Sequence, residues 1–346
     1  MSKMTPNKLI PATVITGFLG SGKTTLLNAL LHHPELADTA VLVNEFGEVG
    51  IDHLLVEALE EEDVVLLNAG CLCCTIRNDL VGSLEELYEK RSRGDVPKFK
   101  RVVIETTGLA DPVPILHTLL GHEGLREIYY VDGIVTTVDA VNGQRQLSEH
   151  VESVRQAAVA DRLVITKTDL SEAATVDALR ERLCSINPGG QVLNAVSGNI
   201  SPAQLLDTSL YNIENKHPDV AAWLSEAGSN EHVARHGHDV SRHDDRIRSF
   251  SLQTDTPIKI HRFVAWVERL LETQGDKLLR LKGVLDIEGC DVPIVVHGVA
   301  HIFHPLSRLN KWPDSGRTSR LVLIGKELDT EAVGQAFSNE VLSQPR

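Results

Sequence analysis

The clearest chemical signal in the chain is a glycine-rich motif near its N-terminus. Residues 17–24 read GFLGSGKT and match the phosphate-loop pattern G-x-x-x-x-G-K-[ST], between a strand-like run and a helical pattern. Glycines let backbone N–H groups surround a phosphate, Lys23 can neutralise β- and γ-phosphate oxygens, and the Thr24 hydroxyl can bind Mg²⁺. The motif therefore predicts a nucleotide site. Its residues are Gly17, Gly20, Ser21, Gly22, Lys23, Thr24 and Thr25.

A second motif that could contact the phosphates and their Mg²⁺ lies at residues 102–108, which read VVIETTG. Three apolar residues lead to Glu105, and a glycine follows three positions later. Glu105 could reach Mg²⁺ or its bound water, and the Gly108 amide could sense the γ-phosphate. Apolar strands often end in an acid, so the argument depends on the phosphate loop that precedes it. Together the two motifs predict catalytic roles for Lys23 and Glu105.

The choice of base is predicted from the tetrapeptide TKTD at residues 166–169, at the end of an apolar strand. The Asp169 carboxylate can accept hydrogen bonds from both guanine N1–H and N2–H, whereas adenine has no such pair of donors. The Lys167 stem can lie over the base, with Thr166 beside it. GTP is therefore favoured over ATP, and the alternative is a strand that ends in an ordinary polar turn.

Three of the five cysteines, Cys71, Cys73 and Cys74, fall within four residues directly after a predicted strand. Thiolates suit Zn²⁺ or similar metals, and three of them leave a fourth position open for water, another side chain or a receiving protein. A buried cluster of small apolar side chains and a redox-active pair are the alternatives. An odd number of cysteines with this spacing disfavours a disulfide framework and favours a reducing cytoplasm.

Composition limits the class of protein. The 346 residues suggest two domains, and 42% hydrophobic with 24% charged residues indicate an ordinary folded protein. The net charge of −14, without a long basic run, disfavours an extended nucleic-acid surface. Neither a signal sequence nor an apolar run of 18 residues is evident, so we expect no membrane partner and a cytoplasmic location.

The order of patterns predicts an α/β fold, a doubly wound, mainly parallel sheet, followed by a small α+β domain. The predicted domains are a phosphate-loop GTPase domain at 1–210, a histidine-rich linker at 211–246 and a C-terminal domain at 247–346. Strands are predicted at 10–16, 40–43, 64–67, 101–105, 133–139, 163–166, 192–195, 248–253, 278–287, 294–303 and 320–324. Helices are predicted at 23–32, 78–91, 112–120, 144–159, 172–186, 259–273 and 330–341.

The predicted linker contains four of the chain's fifteen histidines within twelve residues: His232, His236, His238 and His243. Neutral imidazoles suit Zn, Co and Ni, so the segment could collect metal for the cysteines. Arginines and aspartates are interspersed among them, as in any solvated loop, and that alternative stays open. Three further histidines at 297–304 alternate with apolar residues, which favours a packing role.

The motifs described above, together with others along the chain, resemble those of the CobW-type GTPases, phosphate-loop metallochaperones similar to the GTPases that insert nickel into hydrogenase and urease. The resemblance implies a GTPase that binds a transition metal at its CxCC motif and hands it to a client metalloprotein. It also implies that Glu45 and Glu48 lie in a switch region and sense Mg²⁺·GTP or complete the metal site, although acids in a solvated loop need no such role. The motifs are GFLGSGKTT at 17–25, NEFGEVGID at 44–52, GCLCCTIRNDL at 70–80, ETTGLADP at 105–112, VDGIVTTVDA at 131–140, TKTD at 166–169, KGVLDIEG at 282–289 and VVHGVAHIFH at 295–304.

The favoured function is a GTP-dependent chaperone for Zn²⁺, with GTP and Mg²⁺ as cofactors. Co²⁺ delivery to a cobalamin-pathway chelatase, insertion of nickel or iron, a metal- or redox-responsive GTP switch, and a small-molecule kinase are the alternatives. In the chaperone, Mg²⁺·GTP would shift the cysteines into a metal-holding arrangement, so GTP and metal would bind cooperatively. The client, and whether the protein is a monomer or a dimer, are left open by the sequence.

Overall fold

The computed structural model describes residues 9–44, 64–69, 76–206, 247–304, 306–312 and 316–342. The chain divides into two compact units. The predicted linker at 211–246 lies outside the described residues. In the described ranges, none of the helices combines the length and the apolarity needed to span a bilayer.

The described part of the first unit contains a seven-stranded sheet with the order β3-β2-β4-β1-β5-β6-β7. Each pairing among β1 to β6 is parallel. The strands are β1 Ile10–Gly17, β2 Thr39–Asn44, β3 Val64–Ala69, β4 Arg101–Glu105, β5 Tyr129–Asp139, β6 Arg162–Thr166 and β7 Gln191–Ala195. The helices are α1 Lys23–Leu31, α2 Ile76–Arg93, α3 Val113–Gly121, α4 Glu123–Ile128, α5 Gly143–Glu149, α6 Val151–Val159, α7 Ala173–Ile186 and α8 Pro202–Leu205.

Both faces of this sheet are covered, as in doubly wound folds. Ile15 on β1 belongs to one core cluster with Leu26 and Leu30 of α1. Val14 points to the opposite face, because successive strand residues alternate, and it is also fully buried. Strands that are buried on both faces have nearly continuous apolar sequences, which is why the period of two is absent from β1. The fold class predicted from the sequence is confirmed.

The predicted helix at 144–159 is wrong in one respect, because the structure has two helices there. α5 ends at Glu149, and His150 adopts an extended conformation with φ −126° and ψ 113° before α6 begins. The His150 ring stacks on Phe18 of the phosphate loop with centroids 4.5 Å apart. The helical periodicity of the sequence continues through His150 and therefore does not reveal the break. The break coincides with the tertiary contact between His150 and Phe18.

The described part of the second unit is built on antiparallel strands in the order β11-β10-β9-β13-β8, with β12 beside β10. Trp266 packs between Phe263 and Phe337 in its core, on one face of the sheet. The strands are β8 Ile247–Thr254, β9 Leu278–Leu285, β10 Ile294–Val299, β11 Ile302–Phe303, β12 Ser307–Arg308 and β13 Ser319–Lys326, and the helices are α9 Ile260–Gln274 and α10 Thr330–Phe337.

Two elements of this unit differ from the prediction. The single strand expected at 294–303 is a hairpin, because Ala300 has φ 50° and turns β10 back into β11. The last helix, expected at 330–341, is α-helical only to Phe337 and continues as a π-helical turn at Ser338–Leu342. His297 and His304 stack across the hairpin with ring centroids 4.6 Å apart, in keeping with the predicted packing role.

Candidate nucleotide site and metal motif

The phosphate loop connects β1, in the middle of the sheet, to α1. Because β1, β4, β5 and β6 are parallel, their carboxyl ends lie at one edge, and the loops that follow them meet there. The first turn of α1 begins at Lys23, and no side chain caps that helix at Gly22. The N-terminal amides of α1 therefore face the loop without a competing side-chain acceptor, as an anion site requires.

The glycines of the loop have conformations that other residues rarely adopt. Gly17, Gly20 and Gly22 have φ values of 144°, 71° and 90°. A Cβ on Gly17 would overlap the hydroxyl and carbonyl oxygens of Thr137 and lie 2.7 Å from Ser21 Oγ. Gly17 is therefore required by both its backbone angle and its surroundings.

Lys23 lies folded over the loop from which it comes. Its Nζ donates hydrogen bonds to the carbonyl oxygens of Gly17 and Phe18 at 3.0 and 3.2 Å, and the residue is buried. The ammonium group thus places a positive charge within the turn. Its contact with β- and γ-phosphate oxygens stays a prediction.

The structure brings together the two oxygen groups that were predicted to bind Mg²⁺. Thr24 Oγ1 donates a hydrogen bond to Glu105 Oε1 at 2.8 Å, although the residues are 81 positions apart. Glu105 is only 4% exposed. A hydroxyl and a carboxylate side by side are hard oxygen donors, which fit the ligand preference of Mg²⁺.

Gly108 packs directly on the phosphate loop. A Cβ at this position would lie 2.7 Å from the backbone nitrogen of Leu19 and 2.8 Å from its Cα. Two positions earlier, Thr106 donates its backbone N–H to Ile15 O on β1 at 2.9 Å. The loop after β4 is therefore in contact with the loop after β1, so the predicted γ-phosphate sensor lies beside the phosphate loop.

Thr166 is engaged with the phosphate loop through its hydroxyl. Its Oγ1 donates to Ser21 O at 2.7 Å, and Ser21 Oγ is 2.6 Å from Thr137 Oγ1. All three residues are buried. These bonds connect β5 and β6 to the loop and fix its shape, so the Thr166 side chain supports the loop backbone.

Lys167 bridges the phosphate loop and the end of β5. It has φ 55°, and its Nζ donates to Gly20 O at 2.7 Å and to Asp139 Oδ2 at 2.9 Å. Burial raises the pKa of Asp139, but hydrogen bonds from Asn142 and Lys167 outweigh that effect and hold the pKa below its ordinary value. Asp139 is therefore an anion that orients the lysine stem.

Asp169 lies in the short 3-10 helix Thr168–Leu170 that follows β6, and it is exposed. Its carboxylate is open to a ligand at the same sheet edge as the phosphate loop. This location is compatible with the predicted contact to guanine.

Two parts of the site were missed in the sequence. Asp139 follows an apolar strand just as Glu105 does, and that repeated pattern could have identified it. The turn after β7 contains Ser197 and Gly198, with φ 51° and 75°, and a Cβ on Gly198 would lie 2.6 Å from Thr25 O. A Ser-Gly pair directly after a strand is the available signal for this close approach to α1.

The predicted metal residues Cys71, Cys73, Cys74, Glu45 and Glu48, like the four linker histidines, lie outside the described residues. The strand that leads into the cysteines, β3, ends at Ala69 and is paired with β2. Across the described ranges, no group of three or more His, Cys, Asp or Glu side chains is suited to hold a metal ion. The cysteine motif therefore keeps its role as a prediction.

A phosphate loop on the central strand, an acid on the next strand and a TKTD turn define a P-loop nucleotide-binding protein. Residues 11–194 match the family model "CobW/HypB/UreG, nucleotide-binding domain", and residues 247–341 match "Cobalamin synthesis protein cobW C-terminal domain". The chain belongs to the CobW/HypB/UreG family of P-loop GTPases.

Similar proteins extend over almost the whole chain. The zinc chaperone YjiA of Escherichia coli is 34% identical over 95% of this chain and 98% of its own length. The zinc-regulated GTPase metalloprotein activator 1 of Schizosaccharomyces pombe is 27% identical over 92% of this chain and 83% of its own length. The crystal structure of Zn(II)-bound YjiA GTPase from E. coli matches with a TM-score of 0.72 at 29% identity, covering 96% of this chain and 99% of that one.

Proposed function

We propose that this protein is a GTP-dependent metallochaperone that binds Zn²⁺ through Cys71, Cys73 and Cys74 and transfers it to a client metalloprotein. The observation that carries the proposal is that GCLCC follows β3 directly in the sequence, and the carboxyl end of β3 lies at the sheet edge that also carries the phosphate loop. Relatives named zinc chaperones support zinc as the cargo, and Co²⁺ is the alternative cargo. Three thiols within four residues also favour a reducing location, the cytoplasm.

In this proposal different residues at the carboxyl edge of the sheet bind different parts of GTP. The loop amides and Lys23 bind the phosphates, and Thr24 with Glu105 would hold Mg²⁺, which supplies charge neutralisation to the phosphates when bound. The Gly108 amide senses the γ-phosphate, and Asp169 with the Lys167 stem selects guanine. The support is the contact of Thr24 with Glu105 and of Gly108 with the phosphate loop.

The guanine contact is tested by Asp169→Asn. An amide accepts through one oxygen and offers donors where guanine also donates, so we expect GTP affinity to fall by roughly tenfold or more while ATP affinity stays the same. Titrations with fluorescent GTP and ATP analogues measure both. Asp177→Asn, an exposed acid on α7, is the matched control. Equal losses for both nucleotides would contradict base selection by Asp169.

The metal site is tested by a competitive titration with Zn²⁺ and Co²⁺, with and without Mg²⁺ and a non-hydrolysable GTP analogue. We expect about one equivalent of metal to bind more tightly with the analogue, by roughly five- to a hundredfold, and the analogue to bind more tightly with metal by the same factor. Cys73→Ser/Cys74→Ser should remove this coupling and leave GTP binding intact.

Cys290→Ser is the control, because that cysteine is in the other unit and far from the motif in sequence. If the analogue leaves metal affinity unchanged, the two sites are uncoupled, and a GTP switch without cargo transfer replaces the chaperone proposal. Whichever of Zn²⁺ and Co²⁺ gains affinity with the analogue identifies the cargo that the nucleotide controls.

A further inference from the structure

Helix α6 holds the loop that follows β4 through one buried glutamine. Gln156 Nε2 donates to Gly108 O at 3.2 Å and to Ala110 O at 2.9 Å, and the residue is 0% exposed. The opposite orientation of the amide would set its oxygen against two carbonyl oxygens. The donor side of Gln156 therefore faces the loop.

The helix that carries Gln156 is itself anchored to the sheet. Thr136 Oγ1 on β5 donates to Gln156 O at 2.8 Å, and β5 is paired with the central strand β1. Next to Gln156, Arg155 donates to Asp111 Oδ2 at 3.3 Å at the far end of the same loop. Through these hydrogen bonds the position of the loop depends on the positions of β5 and α6.

The other side of the loop lies against the phosphate loop. Because a Cβ on Gly108 would lie 2.7 Å from Leu19 N, Gly108 fits between Leu19 on one side and the Gln156 amide on the other. A bond to Gly108 O also fixes the plane of the following peptide, and the bond to Ala110 O fixes the next turn. Helix α6 therefore sets the orientation of the peptides that follow Gly108 and Ala110, and it holds Gly108 in place against Leu19.

Three buried polar atoms around this loop have spare hydrogen-bonding capacity. Gln156 Oε1, Thr107 Oγ1 and Arg155 Nε have no hydrogen-bond partner within the part of the chain that the structure describes. Buried polar atoms are nearly always paired, so these three atoms are available to a water molecule or a ligand at this loop. Gln156 Oε1 is an acceptor and the Thr107 hydroxyl is a donor, so the two groups are complementary.

We propose that Gln156 is a positioning residue for the γ-phosphate: its amide fixes the 106–111 loop so that the Gly108 amide distinguishes GTP from GDP. This inference rests on the proposed phosphate site, in which Gly108 senses the γ-phosphate. Gln156 has no contact with the nucleotide in this role. Its effect is confined to ligands that carry a γ-phosphate.

The test compares Gln156→Met with the unaltered protein, because methionine has a similar length and donates no hydrogen bond. We expect affinity for a non-hydrolysable GTP analogue to fall by roughly tenfold, with kcat lowered and GDP affinity unchanged within about twofold. Tyr129→Phe is the matched control: it removes the buried hydrogen bond from the Tyr129 hydroxyl to Leu84 O at the amino end of β5, lowers stability and leaves the GTP-to-GDP ratio of affinities unchanged.

A second variant, Gln156→Glu, preserves shape and separates positioning from packing. Only the protonated carboxyl can donate to a loop carbonyl, so GTP-analogue affinity should recover as the pH is lowered, whereas a purely structural defect would not recover. Equal losses for GTP analogue and GDP in Gln156→Met, or no loss for either, overturn the proposal. If the unaltered protein itself binds both nucleotides alike, the γ-phosphate role of Gly108 fails, and this inference fails with it, whereas binding of the shared phosphates by the loop is untouched.

Discussion

Lys23→Ala should lower the kcat/KM for GTP by about 10³-fold and weaken binding of GTP more than binding of GDP. The Lys23 ammonium lies within the phosphate loop on the Gly17 and Phe18 carbonyl oxygens, and a preorganised charge in such a position typically contributes factors of 10²–10³ to catalysis. Phosphate release under single- and multiple-turnover conditions, with fluorescent-nucleotide titration, measures the two effects.

Lys100→Ala is the control for loss of a positive charge, because that side chain is 79% exposed and pairs with Asp38 at the surface. It should leave GTP turnover unchanged, since exposed ion pairs contribute little. A Lys23→Ala protein that retained more than a tenth of normal kcat/KM would show that the loop amides alone carry phosphate stabilisation, contrary to the role assigned to Lys23.

Gly17→Ala should destabilise the first unit by roughly 3 kcal/mol and prevent nucleotide binding. The φ of 144° disfavours a side chain, and the new Cβ would overlap Thr137 on the adjacent strand β5, which belongs to the rigid sheet. Chemical denaturation followed by circular dichroism measures the free energy of unfolding.

Gly20→Ala separates the effect of an unfavourable backbone angle from the effect of steric overlap. Gly20 also has a positive φ, 71°, but a Cβ there would have nothing within 4 Å. We expect a loss of about 1 kcal/mol, which is the effect of the backbone conformation alone. Equal losses for the two variants would show that the contacts of Gly17 with Thr137 and Ser21 are unimportant.

The phosphate-binding part of the site could be predicted from the sequence because a short run of consecutive residues specifies it. GFLGSGKT specifies the loop over eight consecutive residues, and the contact between Thr24 and Glu105 follows from the parallel arrangement of β1 and β4. The seven strands of the first unit were predicted for the same reason, since each is an apolar run bounded by turn residues. The start of β5 is the largest difference, at Tyr129 and not at 133.

What could not be predicted depends on contacts between distant segments. Gln156 is one polar residue on an amphipathic helix, and only the folded chain brings its amide to Gly108, 48 positions away. The break at His150 accompanies stacking on Phe18, and Thr166 was assigned to the base although its hydroxyl bonds the phosphate-loop backbone. The metal half of the site, Cys71, Cys73 and Cys74, stays a prediction from residue type and spacing.

The order of the strands has a consequence for how metal and nucleotide influence each other. The strand that leads into the cysteines, β3, is separated from β1 by β2 and β4, so their backbones are about 14 Å apart at the usual strand spacing. At about 14 Å two unit charges in water attract by only about 0.3 kcal/mol, and physiological salt screens beyond about 8 Å. Direct attraction between unit charges at the ends of these two strands therefore contributes little. A strong coupling would have to be mechanical, carried through β2 and β4 and the loop that follows β4.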